Sequence, residues 1–217
     1  MRLRVVAAEE GGAKTPPERR GSEVGRDWAE ILRMAQRGDP RTGAALFDRC
    51  EGQVNRIVWR VLGADDGHDD VVQQVFVALL RGLAQVRDPD ALAGWAAVVT
   101  VNTVRSEIRR RRIRRLWMRS EPEALDLAEA AAPSHEAREL LRRTYAVLEK
   151  LPANERIAFG LRFIDEMPLT EVAAACGCSL ATIKRRLQSA QTRFRRLAQR
   201  DPALAERLDE GRNDGPA

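Results

Sequence analysis

Three observations predict an all-α fold of two small helical domains joined by an acidic linker. Apolar residues recur at spacings of three and four through residues 27–118 and 137–200, and no strand-like alternation persists in the 217-residue chain. Between these stretches Glu121–Glu136 carries five acids, two prolines and neither Lys nor Arg, which is the composition of a linker placed at 119–136. Near the C-terminal end a short apolar helix, a glycine, a serine and a basic helix succeed one another in the order of a helix-turn-helix.

Residues 1–26 are rich in Gly, Pro and charge and show no sustained period, so a disordered arm is expected. Asp27-Trp28-Ala29-Glu30 has the form of a capping box, and Trp28, Ile31, Leu32 and Ala35 then share one helical face. Gly38 ends that helix, and Asp39-Pro40 is expected to cap and open the next. There Leu46, Phe47, Cys50, Val54, Ile57, Val58, Val61 and Leu62 supply the apolar spacing. After a turn at Gly63–Gly67, a helix near Asp69–Leu83 sets Val71, Val72, Val75, Phe76, Leu79, Leu80 and Leu83 on one stripe. Asp70, Gln73, Gln74 and Arg81 occupy its other side.

Arg87–Asp90 contains Pro89 between two acids and reads as a loop. A helix from about Ala91 to Leu116 follows, through Trp95, Val98, Val99, Asn102 and Ile108. Further helices are expected near Glu136–Lys150, Ala153–Asp165, Leu169–Cys176 and Leu180–Gln199, and 201–217 reads as a polar tail.

The net charge of +5 matters through its distribution. Arg105–Arg115 holds seven arginines against Glu107, and Lys184–Arg200 holds seven basic residues and no acid. Two basic blocks separated by an acidic segment suit two contacts with a polyanion. The first block runs all round its helix and also fits a solvated helix end. Trp95 and Trp117 on that stretch fit either core packing or stacking on unpaired bases.

The segment Leu169–Leu197 carries the most specific signal. Val172, Ala173 and Cys176 line a short helix, Gly177 supplies a left-handed turn, and Ser179 caps the next helix. In that helix Leu180, Ile183, Leu187, Ala190, Phe194 and Leu197 form one stripe. Ser179, Ala181, Thr182, Lys184, Arg185, Arg186, Gln188 and Ser189 are the candidate DNA-reading residues. Small residues at the helix start permit close approach to the major groove, Arg bridges guanine acceptors, Gln pairs with adenine, and Lys or Arg meets phosphate.

Enzyme readings find little support. The chain has no Gly-rich phosphate loop, no His-Glu-x-x-His and no Gly-x-Ser-x-Gly, so no catalytic residue is expected. No metal or cofactor is expected either. Asp65-Asp66 and Asp69-Asp70 suit a helix start as well as a metal, and Cys176-Gly177-Cys178 lacks a second pair at zinc spacing. Cys50 reads as a buried small hydrophobe, and His68 and His135 read as surface residues. No apolar run of about 18 residues is present and Met1–Ala8 runs straight into Glu9, so a cytoplasmic protein without membrane insertion is expected.

On these residues the chain resembles the extracytoplasmic-function (ECF) group of the sigma-70 family. Asp69-Asp70-Val71-Val72-Gln73-Gln74-Val75-Phe76 stands where region 2 of that family has an acidic pair followed by Leu-Val-Gln-Glu-Val-Phe. Trp95 and Asn102 match its tryptophan and asparagine, ahead of the arginine run. Leu151-Pro152 with Arg156, Leu161-Arg162-Phe163, Val172-Ala173, Gly177, Ser179 and Thr182-Ile183-Lys184-Arg185-Arg186-Leu187 fall at region 4 spacing. Gln74 for Glu, Val101 for Arg, Ser106 for Asp and Pro168 for a capping Ser depart from the pattern.

The resemblance implies a transcription initiation factor that has no active site of its own. Asp69, Asp70, Gln73, Gln74 and Phe76 would bind the clamp helices of the polymerase β′ subunit, and region 4 would meet the β flap. The loop Val86–Ala93, with Val86, Arg87 and Asp88, would capture a flipped −10 base, with Trp95, Asn102, Arg105, Arg109 and Arg110 beside it. The helix from Leu180 would read the −35 element, and the acidic linker would lie in the polymerase's nucleic-acid channel. Promoter DNA and core RNA polymerase are the expected partners, with an anti-sigma factor as a candidate third. Two rivals remain: a stand-alone helix-turn-helix regulator, which leaves Asp69–Phe76 unexplained, and a protein-interaction module, which predicts no promoter specificity.

Overall fold

Apolar spacing accounts directly for the helices of the N-terminal half. In a computed structural model, which describes residues 28–63, 67–118 and 135–213, α1 spans Trp28–Gln36 and buries Ile31, Leu32 and Met34. The expected cap at Asp27 lies outside the described residues. Gly38, at φ 67°, turns the chain out of α1.

The next helix, α2, spans Thr42–Leu62 and begins two residues later than Asp39-Pro40 implied. Asp39 instead spends its carboxylate on the backbone N–H of Arg41 at 2.9 Å and on the Arg41 guanidinium, while its carbonyl takes the Thr42 hydroxyl. Leu46, Cys50, Val54, Ile57, Val58, Val61 and Leu62 are buried along α2. Phe47 lies off that stripe, partly exposed, with its ring 4.8 Å from Phe76.

Helix α3 spans His68–Leu83, and residues 64–66 before it, Asp65 and Asp66 among them, lie outside the described set. Its buried stripe is narrower than expected: Val71, Val75, Phe76, Leu79 and Leu83 face inward, whereas Leu80 is 44% exposed. His68 is not a surface residue. As the first residue of α3 it folds back onto α2, with Nε2 3.2 Å from Asn55 Oδ1 and its ring 4.9 Å from Trp59. His135 is exposed.

The expected loop at Arg87–Asp90 ends in a 3-10 turn, Pro89–Ala91, where Asp88 accepts the Asp90 N–H at 3.0 Å. Helix α4, Leu92–Met118, buries Leu92, Ala96, Val101, Val104 and Ile108 against α2 and α3.

The C-terminal half comprises α5 (His135–Leu148), α6 (Ala153–Phe159), α7 (Leu169–Ala175), α8 (Leu180–Ala198) and α9 (Pro202–Asn213). The single helix expected over Ala153–Asp165 changes at Gly160 into a π-helical turn, Gly160–Ile164. The polar tail expected from residue 201 is also corrected, because α9 occupies most of it. Asp201 caps that helix by accepting the Ala203 and Leu204 N–H groups at 3.1 and 3.3 Å, Pro202 fits its first turn, and Leu204 is buried.

Helices account for the folded core, and no strand occurs among the described residues. Residues 119–134 of the expected acidic linker lie outside them. The two halves share one apolar core, continuous from Ile31 in α1 to Leu187 in α8. A second cluster joins Tyr145, Leu148, Phe159, Phe194 and Leu204.

Gly177 offers a clean test of the turn that positions α8. It sits at φ 61°, and a Cβ added there would meet no atom within 4 Å, so Gly177→Ala perturbs backbone conformation alone. The expected loss is about 1–2 kcal/mol of unfolding free energy by urea titration, and less for Gly177→Asn. An unchanged Gly177→Ala midpoint contradicts the assignment.

Candidate nucleic-acid interface

Helix α7 ends because its last turn closes on Gly177. The Gly177 N–H bonds the Ala174 carbonyl and the Cys178 N–H bonds that of Ala173, both at 3.0 Å, forming a Schellman end. Ser179 then caps α8, accepting the Thr182 N–H at 3.2 Å. Ile183, Leu187, Ala190, Phe194 and Ala198 face inward, while Leu180 is partly exposed rather than part of the stripe.

Burial divides the eight candidate reading residues. Ala181, Lys184, Arg185 and Gln188 are exposed along the outer side of α8. Ser179 and Thr182 are engaged in the cap, their hydroxyl oxygens 2.9 Å apart. Arg186 turns back so that Nη1 lies 3.4 Å from Cys178 Sγ, and Ser189 donates to Glu155 at 2.9 Å. The groove along this side continues through Thr192, Arg193 and Arg196, which were not among the residues expected from the sequence. Their spacing from Arg185 and Gln188, at steps of three and four, was the available signal.

On the N-terminal half, Asp69, Asp70, Gln73 and Gln74 lie exposed on the outer side of α3. Phe76 does not join that surface, because packing against Phe47 buries it beneath. Val77 and Leu80 are exposed instead. They follow Gln73 by four and seven residues, so they extend the same face.

Arg87 and Asp88 are exposed, and Val86 and Trp95 are half-buried. Trp95 packs so closely on Gly82 that a Cβ there would lie 2.8 Å from Cζ2. On α4, Asn102 is exposed and accepts a hydrogen bond from Arg105, which also donates to Asn154 of α6 at 2.9 Å. Burial, above all, holds the Arg105 pKa below its ordinary value.

The arginine run itself is sorted by its neighbours. Glu107, a buried carboxylate, pairs with Arg110 and Arg111, and Arg115 pairs with Glu149 at 2.9 Å. Arg109, Arg112 and Arg114 are exposed, and Trp117 projects beside them 84% exposed. Cys50 and Cys176 are buried, which pushes both thiols up to about 11, and the three cysteines are unbridged. No group of three or more metal-ligand side chains occurs among the described residues, nor is any described helix long and apolar enough to cross a membrane.

Two family models match the chain in order: Sigma-70 region 2 over residues 46–114 and Sigma-70 region 4 over residues 141–191, together more than half of it. The chain belongs to the sigma-70 family of RNA polymerase initiation factors, and within that family to the ECF group. The ECF RNA polymerase sigma factor SigE of Mycolicibacterium smegmatis is 27% identical over 190 residues, 78% of this chain and 70% of that one. The ECF RNA polymerase sigma-E factor of Escherichia coli K12 is 28% identical over 171 residues, 72% and 86% of the two chains.

Among solved structures, CnrH in complex with the cytosolic domain of CnrY superposes with a TM-score of 0.52 at 25% identity, covering 81% of this chain and 98% of that one. The sigma factor RpoE of Bartonella quintana, in complex with the anti-sigma factor NepR, shares the fold with a TM-score of 0.54 at 21% identity over 74% and 99% of the two chains.

The two tryptophans of α4 are separable by stability. Trp117→Ala is expected to leave unfolding free energy within about 0.5 kcal/mol of wild type, because an exposed ring loses little on truncation. Trp95→Ala is expected to cost about 2–4 kcal/mol through the void left on Gly82. Equal losses in denaturant titrations of the two variants contradict this placement.

Proposed function

We propose that residues 27–118 act as the region 2 domain and 137–200 as the region 4 domain of an initiation factor, joined by the acidic linker 119–136. The exposed face of α3 (Asp69, Asp70, Gln73 and Gln74, extended by Val77 and Leu80) docks on the β′ clamp helices. The α8 strip of Ala181, Lys184, Arg185 and Gln188 reads the −35 element. Val86, Arg87 and Asp88 in the α3–α4 loop, with Asn102, Arg105 and Arg109 on α4, take the −10 element and assist its opening. Region 4 meets the β flap.

The chain does no chemistry itself: polymerase catalyses, and this protein supplies address and strand opening in the cytoplasm. The two solved relatives are complexes with a cytosolic domain and an anti-sigma factor, which supports an anti-sigma partner here too.

The observation that carries this reading is the pairing of a capped, basic helix-turn-helix with an exposed acid-and-amide face on α3. A stand-alone regulator needs the first and has no use for the second.

Two outcomes are expected in transcription with core polymerase. Arg185→Ala costs about 1–3 kcal/mol and relaxes preference at one or two −35 bases, whereas Lys184→Ala weakens all sequences alike. Unchanged output and base preference in both variants reject the groove assignment. Asp70→Arg combined with Gln73→Ala abolishes association with core enzyme while circular dichroism stays native. Undiminished capture by β′ refutes the α3 docking face.

A further inference from the structure

The turn between α7 and α8 carries two unbridged cysteines, Cys176 and Cys178, one on each side of Gly177. Neither takes part in the promoter contacts proposed above. Gly177, at φ 61°, is the left-handed residue of the Schellman end. The separation of two residues that flank a third depends on the backbone angles of that third residue, and mirror-image angles give the same value. Helical geometry of either hand therefore sets the two cysteine Cα atoms about 5.4 Å apart. A disulfide spans Cα separations of about 4.4–6.8 Å. A Cβ at Gly177 would meet nothing within 4 Å, so the space beside this turn is open.

The two thiols differ in exposure and share their surroundings. Cys176 is 7% exposed, and burial pushes its thiol up to about 11. Cys178 is half-buried and packs against the same core. Its Sγ lies 3.4 Å from Arg186 Nη1, and Arg105 of α4 and Arg186 of α8 both lie within electrostatic reach of the pair. Two guanidiniums repel a metal cation, and no third ligating side chain joins the thiols among the described residues. The same guanidiniums favour attack on an oxidant whose leaving group departs as an anion.

We propose that Cys176 and Cys178 form a modification site, where hydrogen peroxide joins them in an intrachain disulfide and the closed ring moves the −35 reading helix out of register. The inference rests on the initiation-factor reading and adds its regulation. The exposed sulfur of Cys178 attacks first: an S–O bond forms, the O–O bond breaks, and the departing hydroxide leaves as water with the Cys178 thiol proton. The Cys176 sulfur then attacks the sulfenic sulfur, so that an S–S bond forms and the S–O bond breaks. The second hydroxide leaves as water with the Cys176 proton. Two electrons pass from the sulfurs to the peroxide.

Ring closure brings the two Cβ atoms to about 3.8 Å, which draws the Cys176 sulfur out of the core and the Cys178 sulfur away from Arg186. That turn also holds the Gly177 and Cys178 N–H bonds to α7 and leads directly into the Ser179 cap of α8. A shift in it re-aims Ala181, Lys184, Arg185 and Gln188 together.

Full-length wild type, Cys176→Ala and Cys178→Ala are reduced and treated with hydrogen peroxide, which is removed before core polymerase is added. Each sample is divided between peptide mass spectrometry and run-off transcription from a −35-dependent promoter. The tryptic peptide Phe163–Lys184 holds both cysteines and excludes Cys50. In wild type it is expected to become two hydrogens lighter and to regain them in dithiothreitol. Wild-type transcription is expected to fall about tenfold, the effect of losing one base contact, and to recover with the reductant. Cys178→Ala is expected to match reduced wild type with or without peroxide.

If Cys176→Ala loses helicity, Cys178→Ala decides alone. A peptide that gains oxygen instead of losing hydrogen, or a disulfide between two chains, overturns the proposal, as does a closed ring that leaves transcription unchanged. Failure of reduced wild type to transcribe with core polymerase overturns the initiation-factor reading instead, and the peptide mass still reports on the thiol pair.

Discussion

The guanidinium of Arg156 sits where two otherwise complete helical units meet, and the shared core forms around it. Burying a lone cation is strongly unfavourable unless its donors are satisfied. Here the satisfying groups are carbonyls that α2 would otherwise leave without partners, so each side resolves the other's deficit. Burial lowers the Arg156 pKa to about 10, which still leaves the group charged at neutral pH. The contact therefore stays electrostatic across the physiological range. Gly160 and Gly63 are required beside it for steric reasons, and the π turn at Gly160 brings that backbone to within reach of α2.

Charge elsewhere is organised by the same logic of satisfied and unsatisfied groups. On α4 the buried Glu107 draws Arg110 and Arg111 to one side, and Glu149 draws Arg115 towards the C-terminal half. Arg109, Arg112 and Arg114 are left turned to solvent beside Trp117. On α8 the buried stripe takes the inner flank, and Glu155 of α6 engages Ser189 and, within the outer groove, Arg193. Lys184, Arg185 and Gln188 remain on the outer flank. A cationic run that looks isotropic in sequence thus becomes directional through a few carboxylates.

Elements with strong periodicity were legible from the chain itself: α2, α3 and α8 lie within a few residues of their expected bounds, and the Gly177 turn and Ser179 cap have the expected geometry. Other features were hidden for identifiable reasons. The composition of 201–217 is polar, which masked the Asp201-Pro202 start signal and the single buried Leu204 that together make α9. His68 stands among acids yet belongs to the α2–α3 contact, because the first residue of a helix can fold back on its predecessor. Leu80 adjoins Leu79 in sequence but lies about 100° round the helix, which moves it from core to surface. The Arg156 contact was illegible, since an arginine is exposed by default and its acceptors are backbone atoms about 95 residues away.

On this account promoter recognition belongs to the complex with polymerase, because each half offers only a short reading element and a few phosphate contacts. Docking both halves on one large partner makes the second DNA contact effectively intramolecular. The most direct measurement is binding of the full chain to a duplex promoter and to one pre-opened at −10, with and without core polymerase, at fixed physiological salt. Weak, poorly specific binding by the free chain is expected, with core enzyme conferring tight binding and a preference for the opened −10 element. Nanomolar, sequence-specific duplex binding by the chain alone would contradict the account and point to a stand-alone regulator.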